Sequence, residues 1–374
     1  PLASSASATQ AGPSAVSETV AEQPAAVSRQ IVAGWSAFSI DIESNPADGD
    51  RIFKIGAVRS DAEVVVSIST GRMDARDVVR RVDDAAQGAR VLVGHNLRRH
   101  DVPLLRRQYP GLGCLNLPAI DTLELAAVAF PANPYHRLVK GYKLLSDSRN
   151  DPVKDARLTL DLLVEEVDAL FEMQRADPDW VSLLHFLLRD EAPLAAALEA
   201  VRNASAPSMA SAVQSAIGRF DNICCSTRLA RFAETDALAA SEHRFALAYA
   251  LGWIRVSGGN SVLPIWVHSA IPEVRTLIGE LREHACGQVG CRYCREQHHP
   301  ESLLFAHFQK AAFRPTPVAP DGTSMQRAIA VAGLERKSLL AVLPTGGGKS
   351  ICYQLPALVH YWRAGQLTVI VSPL

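Results

Sequence analysis

The chain has 374 residues, 48% hydrophobic and 21% charged, enough to bury more than one core, so two or three domains are expected. Its 38 Lys and Arg nearly cancel its 39 Asp and Glu, which excludes a globally basic nucleic-acid coat and leaves any such contact to local patches. No apolar run is long enough to cross a bilayer, and no basic stretch followed by an apolar one opens the chain. The seven cysteines comprise a cluster at Cys286, Cys291 and Cys294 and four scattered residues, Cys114, Cys224, Cys225 and Cys352, which is not a disulfide framework. A cytoplasmic protein is expected. The chain starts at Pro1 and stops at Leu374 just after an apolar strand-like run, so a fragment of a longer protein is also expected.

Residues 1–33 are rich in alanine, serine, glutamine and proline without apolar periodicity, and a disordered tail is expected there. Strand-like runs follow at Ser36–Ile42, Arg51–Val58 and Glu63–Ile68, separated by turn residues such as Asn45-Pro46 and Asp48-Gly49. Asp74–Gln87 reads as a helix, Val91–Val93 as a buried strand, Leu97–Gln108 as a helix and Pro118–Ile120 as a short strand. Pro152–Met173 reads as a helix with proline in its first turn. Three strands followed by alternating helices and strands predict an α/β domain over 34–175, a mixed sheet flanked by helices. Residues 176–283 are mostly helical in pattern, with apolar periodicity over Trp180–Leu188 and Arg244–Trp253, and read as a connector.

Within the first run, Asp41 and Glu43 are two apart on a strand, so both carboxylates project from one face and repel unless a cation sits between them. Downstream come Gly94-His95-Asn96 with Asp101, then Ile120-Asp121-Thr122, then Asn150-Asp151-Pro152 with Asp155. This order and spacing resembles the three exonuclease motifs of the DEDD (DnaQ-like) superfamily. The resemblance implies an RNase H-like fold and a 3′-5′ exonuclease site. Asp41 and Glu43 match its first motif, Asp101 its second and Asp155 its third, together ligands of two Mg²⁺ or Mn²⁺ ions. The family places its general base, a histidine or tyrosine, where Asn150 and Asp151 stand. Asparagine can orient water but cannot accept a proton near neutral pH. Metal binding is therefore better supported than hydrolysis, with His95, His100 and His136 as candidates for a replacement base.

Near the C-terminal end, the strand-like Leu339–Leu343 runs into Pro344-Thr345-Gly346-Gly347-Gly348-Lys349-Ser350, after which Ile351–Leu358 can begin a helix. A strand, a glycine-rich turn and a helix N-terminus make a nest of backbone N–H groups for phosphate. Leu343–Leu358 resembles motif I of RecQ-family helicases, and Arg314 and Gln326 resemble the adenine-reading motif that precedes it. The resemblance implies the start of a RecA-like P-loop lobe over 309–374, with Thr345 to Gly348 around the phosphates, Lys349 on the β and γ phosphates and Ser350 on Mg²⁺. Thr368–Leu374 resembles the motif Ia region.

Cys286, Cys291 and Cys294, spaced C-x₄-C-x₂-C, precede His298 and His299. Three thiolates and an imidazole suit a structural Cys₃His zinc site over 284–308, with His298 or His299 ahead of His284 or His307 as fourth ligand. An iron–sulfur cluster and free reduced thiols stay open as alternatives. The resemblances together imply an ATP-dependent DNA helicase fused to a metal-dependent exonuclease-like domain. Its partners would be single-stranded DNA 3′ ends and duplex junctions, not a membrane, in repair, recombination or defence. The alternative is an exonuclease-like domain that grips a DNA end without cutting it.

Overall fold

The computed structural model describes residues 18–133, 151–234, 241–257, 263–364 and 366–371. It divides into two compact units, Pro1–Thr122 with Leu138–Glu172, and Leu123–Arg137 with Met173–Leu374. Among the described residues, no helix is long and apolar enough to cross a membrane.

In the first unit, α1 (Glu18–Gly34) leads into β1 (Ala37–Asn45), β2 (Arg51–Arg59) and β3 (Val65–Ser69). Next come α2 (Ala75–Ala86), β4 (Val91–Gly94), a π-helical turn over Leu97–Asp101 that runs into α3 (Val102–Gln108), β5 (Ala119–Asp121) and, after α4 (Thr122–Ala129), whose residues from Leu123 on belong to the second unit, α5 (Pro152–Ala176). The sheet order is β3-β2-β1-β4-β5, with β1 and β2 antiparallel and β4 and β5 parallel to β1. This is the mixed sheet that the alternating pattern predicts.

Alternation along β1 sets the two faces. Phe38, Ile40 and Ile42 join Ile52, Ile55, Ala57 and the α2 residues Val78, Val82 and Ala86, spaced one helical turn apart, in one core. Asp41 and Glu43 therefore project from the opposite face. α5 packs against that face, where a Cβ on Gly56 would lie 2.3 Å from the backbone of Pro152 and Val153.

The expected disordered tail is corrected from Glu18 onward. Val32 and Ser28 are buried, the Ser28 hydroxyl donates to Asp168 on α5, and the Ser60 hydroxyl donates to the Val32 carbonyl. The helix has tertiary partners that its composition does not reveal.

In the second unit, helices dominate: α6 (Pro178–Leu187), α7 (Ala192–Arg202), α8 (Met209–Ile217), α9 (Ser226–Glu234), α10 (Ser241–Ser257), α11 (Ile265–Ala270), α12 (Glu273–Arg282), α13 (Arg292–Gln297), α14 (Pro300–Phe308), α15 (Met325–Leu334) and α16 (Lys349–Ala364). Leu303, Leu304, Phe313, Ala330, Leu355 and Val359 form a small core shared by α14, α15 and α16. Residues 176–283, 284–308 and 309–374 fall largely in this second unit. The strands expected at Leu339–Leu343 and from Thr368 are not formed among the described residues, and Leu340, Val342 and Val371 are 94%, 82% and 89% exposed. A strand needs a hydrogen-bonded neighbour, and no described segment pairs with either run.

Candidate functional site

The carboxylates of Asp41, Glu43 and Asp155 each bring an oxygen within 4.8 Å of the others. Asp41 lies opposite Gly56 in the β1–β2 register, and the absent side chain at Gly56 lets the first turn of α5 sit directly on β2. Asp155 is fully buried in that first turn, and the Asp151 side chain accepts from Val153 N–H at 3.2 Å at the start of the helix. Three hard oxygen donors, one completely withdrawn from water, suit a divalent cation. Gly56 is missing from the sequence-derived site, although a lone glycine within a strand is a signal of close backbone approach.

Asp101, expected as a fourth ligand, is not in this group of three. It ends the π-helical turn, is 3% exposed, and accepts from or donates to His100 Nδ1 at 3.1 Å. Burial pushes its carboxyl up to about 6 against the partial relief that His100 provides. The same hydrogen bond to Asp101 raises His100, against its own partial burial. The turn is held from below by Asp121 at the end of β5, whose two oxygens accept from Asn96 N–H and Arg98 N–H, both at 2.9 Å. Asn96 takes a left-handed conformation with φ +64° to begin it. Asn150 and His136 lie outside the described residues.

The glycine-rich turn is built from two left-handed glycines, Gly346 and Gly348, with φ of +78° and +77°. Gln326, 1% exposed on α15, organises it. Its Oε1 accepts from Arg314 N–H at 2.9 Å and its Nε2 donates to the Gly348 carbonyl at 2.9 Å. A Cβ on Gly348 would stand 2.2 Å from that Nε2 and would displace the amide, and the left-handed backbone at φ +77° favours glycine in any case. The Arg314 guanidinium donates to the Gly346 carbonyl, and the Lys349 ammonium donates to the Leu343 carbonyl at 3.1 Å, across the turn. α16 begins at Lys349, which aims its N-terminal N–H groups and positive dipole end at the turn. The structure thus gathers Arg314 and Gln326 of the upstream motif with Gly346, Gly348 and Lys349 of the glycine-rich one; Thr345 and Gly347 are in the same turn and Ser350 is in the first turn of α16.

The third constellation also gathers, with a change of membership. Cys286, Cys291 and Cys294 are joined by Cys225, and the four sulfurs lie within 4.8 Å of one another. His298 is not among them. Its ring packs edge-on against Tyr293 with centroids 5.9 Å apart and burial, with Arg363 nearby, lowers its pKa to about 3.

Against known proteins, the DEAD/DEAH box helicase family matches residues 323–374, which contain Gln326 and the whole turn. The chain is 65% identical over 37 residues to ATP-dependent DNA helicase Q4 of Mus musculus, which is 10% of this chain and 3% of that protein. It is 61% identical over 41 residues to ATP-dependent DNA helicase RecQ of Synechocystis sp., covering 11% and 8% of the two chains. It is also 36% identical over 77 residues to the RecQ helicase of Bacillus subtilis, covering 21% and 11%. The chain thus spans only a small part of the length of these curated relatives. No solved structure matches it significantly. In its C-terminal segment, the chain is similar to RecQ-type ATP-dependent DNA helicases of the DEAD/DEAH box class.

Proposed function

We propose that the chain is part of a RecQ-type ATP-dependent DNA helicase that also carries a divalent-metal, phosphodiester-directed site in its first unit. The observation that carries the motor assignment is the double hydrogen bond of buried Gln326 to Arg314 N–H and to the Gly348 carbonyl, beside Lys349. An amide held there braces the adjoining turn, which receives phosphate, and it would turn to read an adenine edge only by giving up one of these bonds. Thr345 to Gly348 supply backbone N–H groups, Lys349 neutralises the β and γ phosphates, and Ser350 offers its hydroxyl to Mg²⁺. Titration of the protein with Mg·ATP tests this. Binding is expected, and its absence would remove the motor reading.

A second reading is favoured by the trio Asp41, Glu43 and Asp155. Mg²⁺ or Mn²⁺ at these oxygens would polarise a phosphodiester and lower the pKa of bound water. The first unit then acts as a 3′-5′ exonuclease-like domain of RNase H-like architecture on DNA 3′ ends. Asn150 in the family's general-base position makes it a slow one, because a positioned base contributes about 10²–10⁴ in rate. Digestion of 3′-labelled single-stranded DNA with Mn²⁺ is expected to be weak and to vanish in Asp155→Asn. Cation and DNA binding without any cleavage would make the domain a DNA-end binder instead.

A further inference from the structure

We propose that Cys225, Cys286, Cys291 and Cys294 form a closed tetrathiolate zinc centre that staples the start of α9 to the segment between α12 and α13. The proposal is independent of both phosphate-directed sites. Its main support is spacing: sulfurs about 2.3 Å from a tetrahedral Zn²⁺ lie about 3.8 Å from one another. Cys225 Sγ and Cys291 Sγ are 3.8 Å apart, and all four sulfurs fall within 4.8 Å. That is far beyond the S–S length of about 2.05 Å in a disulfide. It is also too tight for four thiolates spread around the outside of a multi-iron cluster, each bound to a different iron.

The surroundings have the other features of a structural site. Arg228 N–H donates to Cys225 Sγ and Cys286 N–H to Cys294 Sγ, both at 3.4 Å, contacts that stabilise thiolates and orient them. Cys225 and Cys294 are buried, and Cys291 is 5% exposed at the start of α13. Four protein ligands leave no position open for substrate, so the role is structural.

The staple has something to hold. Cys225 and Cys291 are 66 positions apart, and a clip that closes so long a loop removes much of the unfolded chain's freedom. Cys225 N–H already bonds the Leu281 carbonyl at 2.9 Å, and the Arg228 guanidinium donates to the His284 and Ala285 carbonyls at 3.1 and 3.2 Å. Tyr293, 2% exposed, donates its hydroxyl to the Arg282 carbonyl at 3.2 Å from the other side. The metal closes a connection that the backbone has prepared.

The test is metal analysis of the full chain purified without chelator, with X-ray absorption at the zinc edge. About one zinc per chain with four sulfur neighbours at about 2.3 Å is expected. Cys225→Ser should weaken zinc binding on the order of 100-fold or more. Cys225→His should restore it with a three-sulfur, one-nitrogen shell, and His298→Ala should leave content and shell unchanged. Absence of zinc, iron with acid-labile sulfide in its place, or a three-sulfur, one-nitrogen shell in the unmutated protein would each overturn the proposal. The last measurement needs no variant to fold.

Discussion

Asp41 and Asp155 come from opposite ends of the first unit's sequence and meet because a glycine in β2 lets α5 settle on the sheet. Gly346 to Ser350, by contrast, are consecutive, and the turn they form needs only Gln326 and Arg314 from upstream to brace it. The comparison teaches where each site is vulnerable. The carboxylate trio depends on the packing of a whole domain, whereas the phosphate turn depends on a few local hydrogen bonds and two left-handed glycines. The DEAD/DEAH box helicase match, residues 323–374, covers the turn.

The largest effect expected from this contrast is that of Gly56→Ala. The added Cβ meets backbone, which cannot swing away, so a loss of about 3 kcal/mol or more is expected, with loss of Mn²⁺ binding at the trio. Urea unfolding and a metal titration measure the two. Wild-type stability and metal affinity would mean that α5 does not sit on β2 as described.

The pH dependence of the metal-free protein is the next test. The folded Asp101 carboxyl titrates near 6, above its ordinary value, so between about pH 4 and 6 the folded state holds a proton that the unfolded chain releases. The contribution of Asp101 should therefore be fully present at and below about pH 4 and fall by about 2–3 kcal/mol as the pH rises through 6, read as the difference between the unmutated protein and Asp101→Asn, because His298, held near 3, contributes with the opposite sign over the same range. Asp101→Asn should abolish that fall. An unchanged profile in the variant would show that burial of this carboxyl is not what sets it.

Smaller, and confined to the second unit, is the effect of Gln326→Ala. It leaves Arg314 N–H and the Gly348 carbonyl without their partner, a cost of about 1–2 kcal/mol, and should weaken Mg·ATP about tenfold without altering metal-dependent behaviour of the first unit. Equal ATP affinity in calorimetry would remove Gln326 from the site.

What the sequence made legible follows the same division. β1, β2, α2 and α5 are close to where alternation, periodicity and the first-turn proline put them, because each pattern is local. α1 was hidden because its support is a distant hydrogen bond to Asp168 rather than its own composition. Leu339–Leu343 carries the composition of a strand but has no described neighbour to pair with, and pairing is a non-local condition. Cys225 sits far from the cysteine cluster in sequence, so local spacing points to a nearby histidine as fourth ligand, whereas the fold brings the distant thiol. Asp155 is legible through its resemblance to a family motif, whereas Gly56, on which its approach depends, gives only the weak signal of a lone glycine in a strand.

We propose that Lys349 and its turn bind nucleotide independently of the carboxylate trio. Calorimetric titration of Mg·ATP into the unmutated chain, Lys349→Ala and Asp155→Asn tests it most directly. Binding to the unmutated chain, a loss on the order of 100-fold in Lys349→Ala, and unchanged affinity in Asp155→Asn are expected. Equal affinity in Lys349→Ala, or no binding by the unmutated chain, would contradict it.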